Sequence, residues 1–104
     1  MEIRQLISGY YGCWVGNDRA GARALLADDL VFRSPMHDFD GADEFMNCCW
    51  QYAAGFSSFE PVQEAYGGNT AYVAYGVGDI KVGEFIRMRD GLISEIWVTF
   101  RVTA

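Results

Sequence analysis

The chain has 104 residues, 51% of them apolar and 15% aromatic, and a formal net charge of −6. That length suits a single domain over residues 1–104 with a core of its own, and the composition excludes a disordered chain. Eight basic residues against fourteen acidic, with no basic run, exclude nucleic acid and anionic membranes as partners.

The cysteines Cys13, Cys48 and Cys49 are odd in number, and two are adjacent. They form neither a disulfide framework nor a zinc spacing, so they read as small buried hydrophobes in a reducing, cytoplasmic compartment. No metal or cofactor is expected. Met1-Glu2-Ile3-Arg4 leads straight into an amphipathic pattern rather than a signal peptide, and no apolar run reaches transmembrane length.

Ile3, Leu6, Ile7, Tyr10, Tyr11 and Trp14 recur on one helical face and predict a helix over about residues 2–15. Gly16 is expected to end it as a left-handed cap. Asn17 or Asp18 then caps a second helix over about 18–27, with Ala22, Leu25 and Leu26 inward. Leu30–Arg33 reads as a short strand, and Pro35 keeps helix from forming before it. Asp40 or Gly41 opens a third helix over about 41–54, with Asp43 and Glu44 suited to its first turn. Phe45, Cys49 and Tyr52 share one of its faces, and Gly55 is expected to end it.

The second half is rich in Val, Ile, Tyr and Phe and predicts strands over 59–66, 70–78, 81–89 and 93–103. Gly67-Gly68-Asn69 is a hairpin signal. Asp90-Gly91 is a stronger one, because a turn with two positive φ values prefers this pair. Helices followed by hairpin-linked strands predict an α+β domain with an antiparallel sheet.

One stretch concentrates chemistry. Val31–Gly41 carries the only histidine, His37, among apolar and acidic neighbours, at the handover from strand to helix. A histidine ordinarily titrates near pH ~6.5, so a cavity-facing His37 could take a proton from a ligand. Asp38 is the nearby alternative. A loop histidine bonded to backbone or water is the plainer reading. Glu84 shares strand parity with Val82, Ile86 and Met88, so it faces inward if they do. A strand-end glutamate in solvent, or paired with Arg87 or Arg101, is the alternative.

The order of these features resembles the nuclear transport factor 2-like superfamily, with its SnoaL-like and ketosteroid-isomerase-like members. The resemblance rests on Asn17-Asp18 between helices, Leu26-Ala27-Asp28-Asp29-Leu30-Val31-Phe32, Gly41 opening the third helix, and Arg89-Asp90-Gly91-Leu92-Ile93 before the last strand. It implies three N-terminal helices on a strongly curved mixed or antiparallel sheet, forming a cone-shaped α+β barrel around an apolar cavity.

For the ketosteroid-isomerase-like members the resemblance implies a tyrosine and a carboxylic acid that stabilise an oxyanion. The matching positions are Tyr10, which could equally be a core tyrosine, and Glu84. The base position before the proline is held by Ser34, whose hydroxyl cannot act as a general base near neutral pH. That leaves His37 or Asp38 to move a proton. The implied function is binding of a small apolar or carbonyl-containing molecule, with cofactor-free isomerase, cyclase or dehydratase chemistry. A non-catalytic binding or interaction module is the alternative. Trp14, Phe32, Ser34 and Met36 are expected to contact the ligand. Phe39, Phe45, Trp50 and Tyr66 are further candidates. The outer sheet face often forms a homodimer in this superfamily, and Trp97 is the anchor candidate here.

Overall fold

Helix α1 (Ile3–Val15) buries Ile3, Leu6, Ile7, Tyr10, Tyr11 and Trp14, the stripe that sequence spacing requires of an amphipathic helix. The structure, a computed structural model, describes residues 2–102. The left-handed residue after α1 is Asn17, with φ 56°, and not Gly16, with φ −83°. Asparagine tolerates this conformation through local hydrogen bonding. The turn positions Asp18 to cap helix α2 (Arg19–Ala24), and its carboxylate accepts from Gly21 N at 2.9 Å.

Helix α2 stops short of residue 27 because the chain enters strand β1 (Leu26–Arg33). Ile93 N donates to Leu25 O at 2.9 Å, and Leu26 aligns with Ile93, so sheet pairing takes backbone groups a longer helix would need. A strand not anticipated from sequence follows. β2 (Asp38–Asp40) pairs antiparallel with β1 around the turn Ser34–His37, closed by Ser34 N donating to His37 O at 2.9 Å. Gly41 caps helix α3 (Ala42–Cys49), which has Asp43 and Glu44 in its first turn. Rather than running on as α-helix to residue 54, the chain tightens into a 3₁₀ segment, Trp50–Ser58, that contains Gly55. This segment packs Trp50 and Phe56 on Trp14, with ring centroids 4.5 and 5.2 Å apart.

Strands β3 (Phe59–Gly67), β4 (Thr70–Val77), β5 (Ile80–Arg89) and β6 (Leu92–Val102) form an antiparallel meander. Asp90 and Gly91 have φ 54° and 78°, the two positive values that the Asp-Gly turn requires. The complete sheet runs β2-β1-β6-β5-β4-β3, and β1–β6 is its parallel pair. Register shifts interrupt β3 between Pro61 and Gln63 and β5–β6 between Arg87 and Met88. Such bulges bend strands and strengthen twist. The sheet is curved and not closed, and the helices fill its concave side to give an α+β cone. Among the described residues, no helix is long and apolar enough to cross a membrane.

Candidate functional site

A cavity of about 520 Å³ lies between the helices and the concave face of the sheet. Helix α1 supplies Tyr10, Tyr11 and Trp14. Strand β1 and helix α3 supply Phe32, Phe45 and Cys49, and the 3₁₀ segment adds Phe56. The sheet contributes through alternation. Tyr75 comes from β4, Val82 and Glu84 from β5, and Val98 and Phe100 from β6.

Glu84 is the chemical centre of this wall. It is 8% exposed, and its two oxygens are engaged separately. Tyr11 Oη donates to Glu84 Oε1 at 2.6 Å, and Tyr75 Oη donates to Glu84 Oε2. Burial raises the Glu84 carboxyl above its ordinary range, while the two phenol hydrogen bonds oppose that rise. Burial and then the Glu84 charge push the Tyr10, Tyr11 and Tyr75 phenols well up. Burial, followed by Cys48, pushes the Cys49 thiol up to about 12. These neighbours therefore keep their protons at neutral pH, and negative charge in this cluster belongs to Glu84.

Tyr10 and Glu84, the two positions matched by the resemblance, thus line one cavity. Tyr11 and Tyr75, rather than Tyr10, hold Glu84. Tyr75 was legible in principle. Ala71, Val73 and Tyr75 alternate on β4, and Val73 sits opposite Glu84, so Tyr75 is its diagonal neighbour on the same face. Tyr11 lies on the buried stripe of α1 beside Tyr10, and helix spacing alone does not say which phenol meets a strand distant in sequence.

The Ser34–His37 turn closes another part of the wall, with Ser34, Met36 and His37 all lining the cavity. The Ser34 hydroxyl accepts from His37 N at 2.9 Å and Met36 N at 3.3 Å, and donates to His37 O at 3.0 Å. Its role is to build the turn. The His37 ring stacks on Phe39 at 5.7 Å. Asp38 is exposed on β2 and does not line the cavity, because β-strand alternation turns it away from its neighbour Phe39.

Phe39 sits behind the wall against Phe32 and Phe45, at centroid distances of 5.9 and 6.4 Å. Trp50 packs on Trp14 without reaching the cavity. Tyr66 lies under the Arg4 guanidinium at 4.3 Å and bonds Glu64 near the edge of the sheet. Among the described residues, no group of three or more His, Cys, Asp or Glu side chains could hold a metal ion.

A curved sheet wrapped on helices around an aromatic cavity with one buried acid defines an α+β cone domain with a small-molecule-sized pocket. The SnoaL-like domain model matches residues 7–96, and the chain belongs to that family. Solved structures share the fold. An NTF2-like protein of unknown function from Cytophaga hutchinsonii superposes with TM-score 0.83 at 17% identity, covering 97% of this chain and 91% of that one. A steroid delta-isomerase from Pseudomonas aeruginosa gives TM-score 0.72 at 24% identity, covering 95% and 79%. A de novo designed protein with a curved β-sheet gives TM-score 0.84 at 14% identity, covering 95% and 84%, so the architecture is separable from any one chemistry. No curated protein matches the chain.

Proposed function

We propose that this chain binds one small, largely apolar molecule in the cone cavity, with the molecule's polar end against Glu84. The observation that carries this reading is the burial of Glu84 between Tyr11 and Tyr75 on a largely apolar wall. An apolar side chain of similar volume would serve the fold as well or better, since burying an ionisable group is costly. The cavity volume of about 520 Å³ falls within the usual range for ligand pockets. Membership of the SnoaL-like family and the shared fold with a steroid isomerase support the same reading.

The test is to fill the cavity. Val82→Trp introduces bulk beside Glu84 at a cavity-lining strand position. A polarity-sensitive fluorescent dye should bind the wild type in a one-to-one, saturable manner and lose that binding in the variant, with the far-ultraviolet circular dichroism unchanged. Undiminished dye binding in a folded Val82→Trp variant would place the site elsewhere.

A second reading adds proton-transfer chemistry on a carbonyl compound. It is favoured by His37, which lines the same cavity as Tyr10 and Glu84. In this reading His37 takes a proton from carbon next to the carbonyl, and Tyr10 donates to the developing oxyanion. Homodimerisation through the outer sheet face is a further part of the proposal. Trp97 and Tyr72 are 49% and 47% exposed there.

A further inference from the structure

We infer that the polar end of the ligand is a protonated amine, held against the Glu84 carboxylate inside the aromatic wall. This inference rests on the cavity being the binding site.

Among the described residues that line the cavity, Glu84 is the sole carboxylate, and there is no lysine or arginine. The titratable groups that face Glu84 are Tyr10 and Tyr11 from α1, Cys49 from α3 and Tyr75 from β4, and each keeps its proton. His37 lines the cavity from the β1–β2 turn. A phosphate or carboxylate ligand would meet an acid and no fixed cation, which argues against anionic ligands.

Hydrogen-bond counting points the same way. Two phenol protons make two bonds, one to each Glu84 oxygen. Neither phenol takes a proton from Glu84 in these bonds, so an ionised Glu84 is not fully used by them. A carboxylate offers about four acceptor sites, so roughly two stay open to a ligand N–H donor. When ionised, Glu84 is a buried charge with no lysine or arginine beside it in the cavity wall, and an ammonium group would supply the counter-charge that favours this form. Tyr11, Trp14, Phe56 and Tyr75 also line the cavity, and aromatic rings stabilise a cation that reaches a ring face.

The far end of the ligand is apolar. Met36, Tyr52, Ile80 and Phe100 are exposed large hydrophobics that line this same cavity, and they form an apolar rim. The ligand class is therefore an amine on a hydrophobic body.

A matched series tests this at pH 7.5, reading dye displacement and calorimetry: naphthylmethylamine, naphthylmethanol and naphthoate. The amine should bind about tenfold tighter than the alcohol, a difference of roughly 1.4 kcal/mol, and naphthoate should bind weakest. Glu84→Gln should erase the preference of amine over alcohol, and Glu84→Asp should keep it. If Glu84→Gln fails to fold, the wild-type series decides the matter alone. Alcohol or naphthoate binding as tightly as the amine would overturn the amine assignment and leave the cavity as the binding site. Failure of all three to displace the dye would overturn both.

Discussion

Glu84 is a buried acid whose two oxygens accept from Tyr11 and Tyr75. Its carboxyl is raised by burial above the 4.5 of an ordinary glutamate, against the pull of two phenol donors. Between that ordinary value and the raised one, the folded state holds a proton that the unfolded chain releases. Stability from this group therefore falls as pH rises through that window and levels off above it. Denaturant melts of wild type and Glu84→Gln across pH 4–8 should show the wild type losing stability relative to the variant as pH rises. A constant difference would mean that Glu84 titrates as a solvent-exposed acid. His37 makes a separate residue-scale prediction. If it moves protons, His37→Ala should retain dye binding and slow, by about 10²-fold or more, exchange of deuterium into a bound ketone, read by nuclear magnetic resonance. Equal exchange in both proteins would leave binding as the function.

At the scale of elements, short polar devices decide where side chains point. The Ser34 hydroxyl closes the turn that presents His37, and the pairing of β1 with β2 anchors it. Asp18 does similar work between α1 and α2 by satisfying Gly21 N. Asp18→Ala should cost about 1 kcal/mol, the usual value for losing an N-cap, and lower the melting temperature by roughly 4–8 °C for a domain of this size. Thermal melts followed by circular dichroism check it, and Asp18→Asn should recover most of the loss. The bulge at Ser94 has a different role. It sits between the Arg87–Glu95 and Met88–Ile93 pairs, so Ile93 and Ile96 are both fully buried despite their odd spacing. A strict alternation rule would have turned one of them outward.

Over the whole molecule, the concave side of the sheet holds the cavity and the convex side is open. On that outer surface Arg87 pairs with Glu95 at 3.2 Å and Trp97 lies half exposed beside them. If this face joins two copies, sedimentation velocity should show a dimer for the wild type, and Trp97→Ala should weaken dimerisation by about tenfold or more, as expected of an aromatic anchor. A wild type that sediments as a monomer at every concentration up to that of a concentrated stock would leave the face without this partner.

Legible in the sequence by itself were the buried stripe of α1, the Asp90–Gly91 turn, the strand parity that groups Glu84 with Val82 and Ile86, and the α+β class; the side of the sheet to which Glu84 turns was left open. The legible features all depend on neighbours a few residues apart, where helical and strand periodicities and turn preferences act. The sequence did not determine β2, a three-residue strand held by pairing with the adjacent β1 rather than by any periodicity of its own, nor the early end of α2 and the 3₁₀ course of residues 50–58, where pairing and aromatic packing from distant segments override local propensity. It also left open which tyrosine meets Glu84. Tyr11 is 73 positions away in sequence, and Phe39, Trp50 and Tyr66 have the composition of cavity residues yet pack elsewhere. Only tertiary structure decides such matters, since a cavity wall is formed by side chains whose proximity is set by how the curved sheet closes over the helices.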